Sequence, residues 1–207
     1  MSDLISPKVG LAVLHLFCKT NPQNDEQPLT ETTKEAIKEV AKKIVEQGDQ
    51  LVTAAVLGHK ADIAFMLLGK DLWRLRDAQT ALSQAGLEIV DSYVSLTEIS
   101  EYAEGIPEQM RNSRLYPELP PPDKPAFCFY PMSKRRNEIS NWFTLPFEER
   151  LELMHEHGAS GRAFTGRVLQ VVTGSTGVDD FEWGVTLFAQ HLDDLKEVVY
   201  TMRYDKA

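Results

Sequence analysis

The sequence has few cysteines, no long apolar run and little positive charge, and each shortage excludes a class of protein. Cys18 and Cys128 are the only cysteines, and both lie in apolar, strand-like settings. Free thiols in such settings usually pack as small hydrophobic residues, so we expect no disulfide. No apolar run approaches the roughly 20 residues of a membrane-spanning helix, and the N-terminus lacks the pattern of a secretion signal. We therefore expect a cytoplasmic protein without a membrane span.

Positive charge is scarce but concentrated in one segment. The 22 lysine and arginine residues are outnumbered by 31 acidic residues, which gives a formal net charge of −9. This balance argues against nucleic acid as the main partner, because phosphate binding needs a basic face. One segment is nonetheless basic, through Arg111, Arg114, Lys124, Lys134, Arg135 and Arg136. It is either a solvated surface patch or the place where an anionic ligand binds.

The first half of the chain predicts a ferredoxin-like βαββαβ unit. Apolar residues alternate or run together in short segments typical of strands, and recur at helical spacing in two longer ones. The predicted strands are residues 9–17, 51–57, 61–68 and 89–96, and the predicted helices begin at Thr30 and Asp71 and end at Gly48 and Gly86. This order places two helices on one face of an antiparallel sheet, an α+β fold.

The same order restarts after a proline-rich segment. Residues 106–125 contain six prolines, which cannot continue a helix, and we interpret the segment as a linker between residues 1–105 and 126–207. The second copy predicts strands at 126–130, 165–173 and 181–188 and helices at 146–157 and 193–202. Its last strand is missing. Either the sequence is truncated, or something else fills that edge of the sheet.

A histidine near the end of the helix predicted at 146–157 is the candidate iron ligand. Pro146 is a favourable helix start and Gly158 a favourable stop, which places His157 in the last turn. A histidine there is often only a cation stabilised by the helix dipole. The apolar neighbours Leu153 and Met154 instead favour an axial haem ligand, while His155 faces the opposite way, toward the surface.

Tyr130 begins the segment Tyr-Pro-Met-Ser-Lys-Arg-Arg, which places a phenol beside three cations. An anionic, iron-bearing cofactor would need this combination together with an imidazole. By itself, Tyr130 is as easily explained as a strand residue that packs in the core beside Phe127 and Phe129. The nearby Lys134 favours a functional role.

Taken together, these motifs resemble the chlorite-dismutase-like haem proteins, and within them the coproheme decarboxylase branch. The resemblance is dense from about Arg114 onward and thin before it. It rests on residues 92–95, 114–117, 129–136, 141–143, 156–158, 161–162, 173–177, 179–188 and 202–205. The family's fold of two ferredoxin-like repeats that form a dimeric α/β barrel agrees with the repeat predicted above.

The resemblance implies a reaction and its catalytic residues. Iron coproporphyrin III (coproheme), both substrate and redox cofactor, is converted to haem b with hydrogen peroxide as oxidant. Two propionates lose carbon dioxide and become vinyl groups. By this likeness His157 is the proximal iron ligand, and Tyr130 is the residue that, as a radical, takes hydrogen from the propionate. Lys134 is its catalytic neighbour.

The resemblance also implies how the porphyrin is bound. Arg114, Lys134 and Arg203 match the propionate-binding positions, and buried carboxylates need such cations. Gln170 matches the distal position, where chlorite-degrading relatives carry an arginine. A neutral amide suits peroxide-dependent decarboxylation better than retention of a chlorine oxyanion. The family further implies a homopentamer, and a coproporphyrin ferrochelatase is a possible partner.

Two other functions stay open on the sequence. One is another haem reaction on the same scaffold, either chlorite decomposition or a peroxidase-like activity. The other is a non-catalytic haem carrier or sensor, which the missing last strand favours and the retention of Tyr130 with Lys134 opposes.

Overall fold

The computed structural model describes residues 5–20 and 30–207, which divide into two compact units. The first unit takes in the described residues up to Thr97 together with Glu118–Pro120, and the second takes in Glu98–Pro117 and Pro121–Ala207. Each unit is an antiparallel sheet with helices, so the predicted α+β class is confirmed. In the described part of the chain, no helix is long and apolar enough to cross a membrane.

The first unit has the predicted βαββαβ order. Its strands lie side by side in the order β2, β3, β1, β4, and all three pairings are antiparallel. The elements are β1 (Ala12–Lys19), α1 (Glu31–Glu46), β2 (Gln50–Ala55), β3 (Ile63–Gly69), α2 (Leu72–Gln84) and β4 (Glu88–Thr97).

Local sequence explains where the two helices of this unit begin. The Thr30 hydroxyl accepts the Thr33 N–H at the start of α1, and the Asp71 carboxylate accepts the Trp73 N–H at the start of α2. Such N-caps satisfy backbone donors that have no partner within the helix. The helices cover one sheet face, where Leu14, Leu16, Ile44, Phe65, Leu67, Leu75 and Leu82 form the buried core with their neighbours.

The second unit contains three strands in the order β6, β7, β5, again with antiparallel pairings. Its elements are α3 (Glu108–Leu115), β5 (Ala126–Met132), a 3-10 helix (Trp142–Thr144), α4 (Phe147–Arg162), β6 (Val168–Gly174), β7 (Trp183–Ala189) and α5 (Leu192–Met202). Pro131 is tolerated because β5 pairs only with β7 in this unit, so one side of the strand needs no ladder donor.

The structure differs from three details of the prediction. The unit boundary falls after Thr97 rather than at residue 105. The proposed linker contains helix α3, because the prolines at 107 and 117 lie at its two ends and leave eight helical residues between them. Helix α4 does not stop at Gly158 but continues to Arg162.

Both cysteines are free, as predicted. Cys18 is buried on β1 and Cys128 is half-buried on β5. Burial raises the pKa of the Cys18 thiol to about 11, and it also raises the pKa of Cys128. Both thiols therefore stay protonated near neutral pH and behave as small apolar side chains.

Candidate active site

Two of the predicted site residues share one face of the second unit's sheet. On β5, Tyr130 pairs with Val185 of β7, and on β6, Gln170 pairs with Leu187 of the same strand. Val185 and Leu187 are two residues apart, so their side chains point to the same face, and those of Tyr130 and Gln170 do so too. Strand β7 separates β5 from β6. The phenol and the amide therefore stand on adjacent rows of one surface, two strand spacings apart.

Tyr130 sits at the margin of a small apolar core. It packs, half-buried, against a cluster formed by Phe164, Val185, Leu187 and Val198, with Val198 contributed by α5. Burial raises the pKa of the Tyr130 phenol, and a smaller contribution comes from the nearby Cys128. The phenol therefore keeps its hydrogen at neutral pH, which a hydrogen-atom relay requires.

The same sheet face also carries exposed apolar surface. Val172, which pairs with Val185 in the row of Tyr130, is 41% exposed although it lies inside β6, and Gln170 is exposed beside it. A strand interior normally buries such a side chain against a covering layer. Val172 and Gln170 therefore leave an apolar and an amide side chain uncovered on this face of β6.

The imidazole of His157 is oriented by a carboxylate. Nδ1 of His157 lies 2.7 Å from Oδ2 of Asp205, and the Ser160 hydroxyl donates to Oδ1 of the same carboxylate at 2.9 Å. An ionised carboxylate only accepts hydrogen bonds, so Nδ1 of His157 carries a proton and donates it to Asp205. Nε2 is the ring nitrogen left to bind a metal, and no side chain in the described ranges bonds to it. A carboxylate on the other ring nitrogen is the usual arrangement for a histidine that ligates a metal.

The extra turn of α4 explains how this pair forms. Ser160 and Gly161 follow His157 by three and four residues, so the three lie on one face of the helix. A Cβ on Gly161 would come within 2.9 Å of Cε, the flexible end of the Met202 side chain of α5, so the two helices are in contact at this point. Asp205, three residues after the end of α5, thereby reaches His157. Met202 also packs against the cluster that contacts Tyr130.

Lys134 follows β5 and lies in a partly desolvated position. Its Nζ atom is 4.3 Å from the centroid of the Trp142 ring, a cation–π distance, and Trp142 is buried. Burial lowers the pKa of Lys134, and the charge of Glu182 partly opposes the shift. The ammonium is thus held four residues from Tyr130 against an aromatic surface.

Glu182 ties together the segment that carries Lys134. Its Oε2 atom accepts the backbone N–H of Lys134 at 2.8 Å, and its Oε1 atom accepts from the guanidinium of Arg136. Arg136 in turn stacks on Phe143, with Cζ 4.5 Å from the ring centroid. The Glu182 side chain is 9% exposed, and both of its carboxylate oxygens form hydrogen bonds within the protein.

Arg203 and Arg114 lie apart from these contacts. Arg203 caps the end of α5, with Cζ 3.5 Å from the Tyr200 ring centroid, and it donates to the Tyr204 hydroxyl at 2.8 Å. Arg114 is exposed in the last turn of α3 and has no ion pair within residues 5–20 and 30–207. His155 is exposed on α4, as expected for a surface histidine.

Sequence reasoning missed Asp205, Glu182 and Trp142 as site residues. Asp205 and Trp142 lie inside motifs that were matched, yet neither has a sequence neighbour that indicates its contact. Glu182 comes shortly after Asp179 and Asp180, two acidic residues of a turn, so the sequence pattern predicts that it is another turn residue. Only the pairing of β7 with β5 brings Glu182 to Lys134, 48 residues away.

Known proteins share this fold and much of this sequence. A curated coproheme decarboxylase of Staphylococcus carnosus (strain TM300) is 45% identical over 163 residues, covering 73% of the chain and 64% of that relative. The match thus spans just under two thirds of the relative's length. The solved structure of a heme-binding protein from Thermus thermophilus is 33% identical with a TM-score of 0.85, covering 99% of this chain and 89% of that one.

A second solved structure and a family profile agree with these matches. A mutant chlorite dismutase of Candidatus Nitrospira defluvii shares the fold, with a TM-score of 0.75 at 20% identity over 97% of this chain and 85% of that one. The profile of the chlorite dismutase family matches residues 30–207. The chain belongs to the chlorite dismutase family.

Proposed function

We propose that this protein converts coproheme to haem b by peroxide-dependent decarboxylation of two propionates. The relative from Staphylococcus carnosus is a coproheme decarboxylase, and the heme-binding protein from Thermus thermophilus covers nearly the whole chain. The observation that carries the proposal is Tyr130, a half-buried, protonated phenol on the same sheet face as the neutral amide of Gln170. A haem carrier needs no oxidisable group at that place.

His157 is proposed as the protein's ligand to the porphyrin iron. Its Nδ1–H is held by Asp205, which fixes the ring plane and leaves Nε2 to ligate. When bound, the iron porphyrin supplies the reaction with hydrogen peroxide from which the oxidising equivalents come.

Cations are proposed to bind the four carboxylates of coproheme. Lys134 is the best placed of them, because its ammonium is half-buried and already stripped of part of its hydration. Arg114 is exposed, and Arg203 would have to bind a carboxylate beside its tyrosine partners. Charge-assisted hydrogen bonds to these groups would compensate for removing the carboxylates from water.

Tyr130 is proposed to transfer the hydrogen atom. The phenol gives up its O–H hydrogen and, as a radical, takes one from the carbon of the propionate that is bound to the porphyrin ring. The propionate then releases carbon dioxide and one further electron, and a vinyl group remains. For each propionate the balance is one hydrogen peroxide and one proton consumed, with one carbon dioxide and two waters formed. Lys134 holds the reacting carboxylate close to the phenol.

Gln170 is proposed to face the other side of the porphyrin from His157. Its amide carries no charge, so it would not retain an anionic oxidant as a guanidinium would. This supports hydrogen peroxide over chlorite as the co-substrate. We further propose a cytoplasmic homopentamer that receives coproheme from a coproporphyrin ferrochelatase, as the family likeness implies.

The experiment that tests this function compares Tyr130→Phe with a matched tyrosine. Tyr102 is a suitable control, because its phenol pKa is also raised by burial and phenylalanine preserves its stacking on Phe147. Each variant is loaded with coproheme, treated with hydrogen peroxide, and analysed by mass spectrometry of the porphyrin. Tyr130→Phe should bind coproheme and consume peroxide but retain all four carboxylates or be bleached, whereas Tyr102→Phe should yield haem b. Haem b formed by Tyr130→Phe at a near-normal rate would disprove the role of the phenol.

A further inference from the structure

Among the described residues of the second unit, Glu182 is a buried carboxylate that joins a proposed site residue to a separate strand. It lies directly before β7, and its backbone N–H is bonded to the Met132 carbonyl at the end of β5. Its side chain then reaches forward to the amide of Lys134, at 2.8 Å. Glu182 therefore forms hydrogen bonds with the main chain on both sides of the point where the chain leaves β5.

The segment beyond Lys134 is closed on itself. Arg136 pairs with Asn141 through an isolated β-bridge, and the Trp142 N–H bonds to the Arg135 carbonyl at 3.3 Å. These contacts place Trp142 next to Lys134, where the Trp142 ring forms a cation–π contact with the ammonium. Glu182 binds the first end of the segment at two points, the amide at position 134 and the guanidinium at position 136.

From this arrangement we infer that Glu182 is a positioning residue, which fixes Lys134 for the carboxylates of coproheme. One oxygen holds the main chain of Lys134 and the other holds Arg136, so Lys134 leaves the sheet in one direction and meets Trp142. The inference rests on the proposed function for the identity of the ligand. The contact itself does not.

A lysine side chain has four rotatable bonds, so its ammonium is held in one place only when both the backbone and the ammonium have fixed contacts. Glu182 fixes the backbone end and Trp142 the ammonium end. Without Glu182, the Lys134 N–H loses its acceptor and Arg136 loses its ion pair. The ammonium then spends less time at the site, and carboxylate binding weakens even though Lys134 is present.

The test uses three substitutions at two contacts. Glu182→Ala removes both bonds, whereas Glu182→Gln keeps an oxygen acceptor for the Lys134 amide and loses the charge toward Arg136. Arg136→Ala removes only the second contact. Asp194→Asn is the matched control, because Asp194 is a buried carboxylate in the same unit that pairs with Arg167 at 2.6 Å and has, among the described residues, no hydrogen bond or ion pair with Lys134 or Arg136.

Binding of ferric coproheme and of ferric haem b is titrated for each variant. We expect Glu182→Ala to weaken the binding of coproheme about tenfold or more, which corresponds to the loss of one charge-assisted contact between Lys134 and a carboxylate. The binding of haem b should weaken much less. Glu182→Gln, Arg136→Ala and Asp194→Asn should stay within about threefold of the unmodified protein. Equal losses for both porphyrins, or an equal loss in Asp194→Asn, would overturn the inference.

A double variant separates positioning from general destabilisation. Because Glu182 acts through Lys134, adding Glu182→Ala to Lys134→Ala should cause little further loss of coproheme affinity. Fully additive losses would show that Glu182 acts by another route.

Hydrogen exchange of the peptide that contains residues 131–136, measured without porphyrin, gives a readout independent of function. Exchange should accelerate in Glu182→Ala and not in Asp194→Asn. If the unmodified protein fails to decarboxylate coproheme while exchange behaves as stated, the proposed function is wrong and the contact stands. Unchanged exchange and unchanged coproheme affinity together would refute the inference.

Discussion

The contact between His157 and Asp205 makes a sharp prediction for iron binding. Asp205 accepts two hydrogen bonds, one from Nδ1 of His157 at 2.7 Å and one from the Ser160 hydroxyl at 2.9 Å. The Asp205 side chain is 9% exposed and that of His157 is 30% exposed, so the contact is shielded from water. Replacing Asp205 therefore removes a charge-assisted bond that water only partly replaces.

The size of the effect follows from the kind of bond lost. A hydrogen bond to a charged group contributes about 1.5–3 kcal/mol, and losing the partner of a ligating histidine typically weakens metal binding about 10–100-fold. Asp205→Ala should show this full loss. The loss of affinity in Asp205→Asn should be smaller than in Asp205→Ala, because the amide oxygen still accepts a hydrogen bond from Nδ1–H but carries no charge. Ser160→Ala should have the smallest effect, since the contact with His157 is kept.

The assay is titration of each variant with ferric haem b, followed by absorbance, because haem b is the product of the proposed reaction and would not be consumed. His157→Ala sets the scale for complete loss of the ligand, and His155→Ala, on the exposed side of α4, serves as the matched histidine control. The expected order of affinity is unmodified, Ser160→Ala, Asp205→Asn, Asp205→Ala and His157→Ala. The reasoning is refuted if Asp205→Ala binds haem b with normal affinity and spectrum while His157→Ala does not, or if the two histidine variants behave alike.

Two further predictions concern the cations and the acid stability of the first unit. Arg114→Ala, Lys134→Ala and Arg203→Ala should each weaken coproheme more than haem b, by up to about 1.5–3 kcal/mol per lost contact, with Lys134 showing the largest effect because its ammonium is half-buried. Titration with both porphyrins checks this, and equal losses for the two would contradict it. Burial lowers the pKa of His15 from 6.5 to about 3. As the pH falls from about 6.5 to 3, His15 therefore binds a proton in the unfolded chain but stays neutral in the folded chain. The free energy of unfolding should therefore fall with pH in this window by up to about 1.4 kcal/mol per unit from this one group, and urea titrations should show a shallower fall in His15→Gln; identical slopes would show that His15 is not responsible.

Most elements of the fold could be predicted because the spacing of apolar residues along the sequence shows which face of a strand or helix is buried. Strands β1 to β4 and helices α1 and α2 fall within a few residues of the predicted ranges, since alternating or helical spacing of apolar residues is required wherever one face is buried. The errors arose where local signals compete. Prolines at 107 and 117 indicated a linker although they only bracket α3, and Gly158 indicated a stop although α4 continues past it.

The candidate site was predictable only in part. Tyr130, His157 and the cations were found from motif likeness, and their roles stay proposals until they are tested. The structure adds partners that no local pattern indicates. A carboxylate such as Glu182 or Asp205 has the same sequence appearance whether it faces water or a histidine.

By itself the sequence predicted the order of elements, a net negative charge that argues against nucleic acid as the main partner, and the residue types that make haem chemistry possible. These follow from composition and from periodicities of two and 3.6 residues, which are local properties of the chain. Only the tertiary structure decided which groups meet. The contacts of His157 with Asp205 and of Lys134 with Glu182 each span 48 residues. Such contacts depend on strand register and on the contact of α4 with α5 at Gly161, and both are set by packing among distant segments that no local pattern encodes.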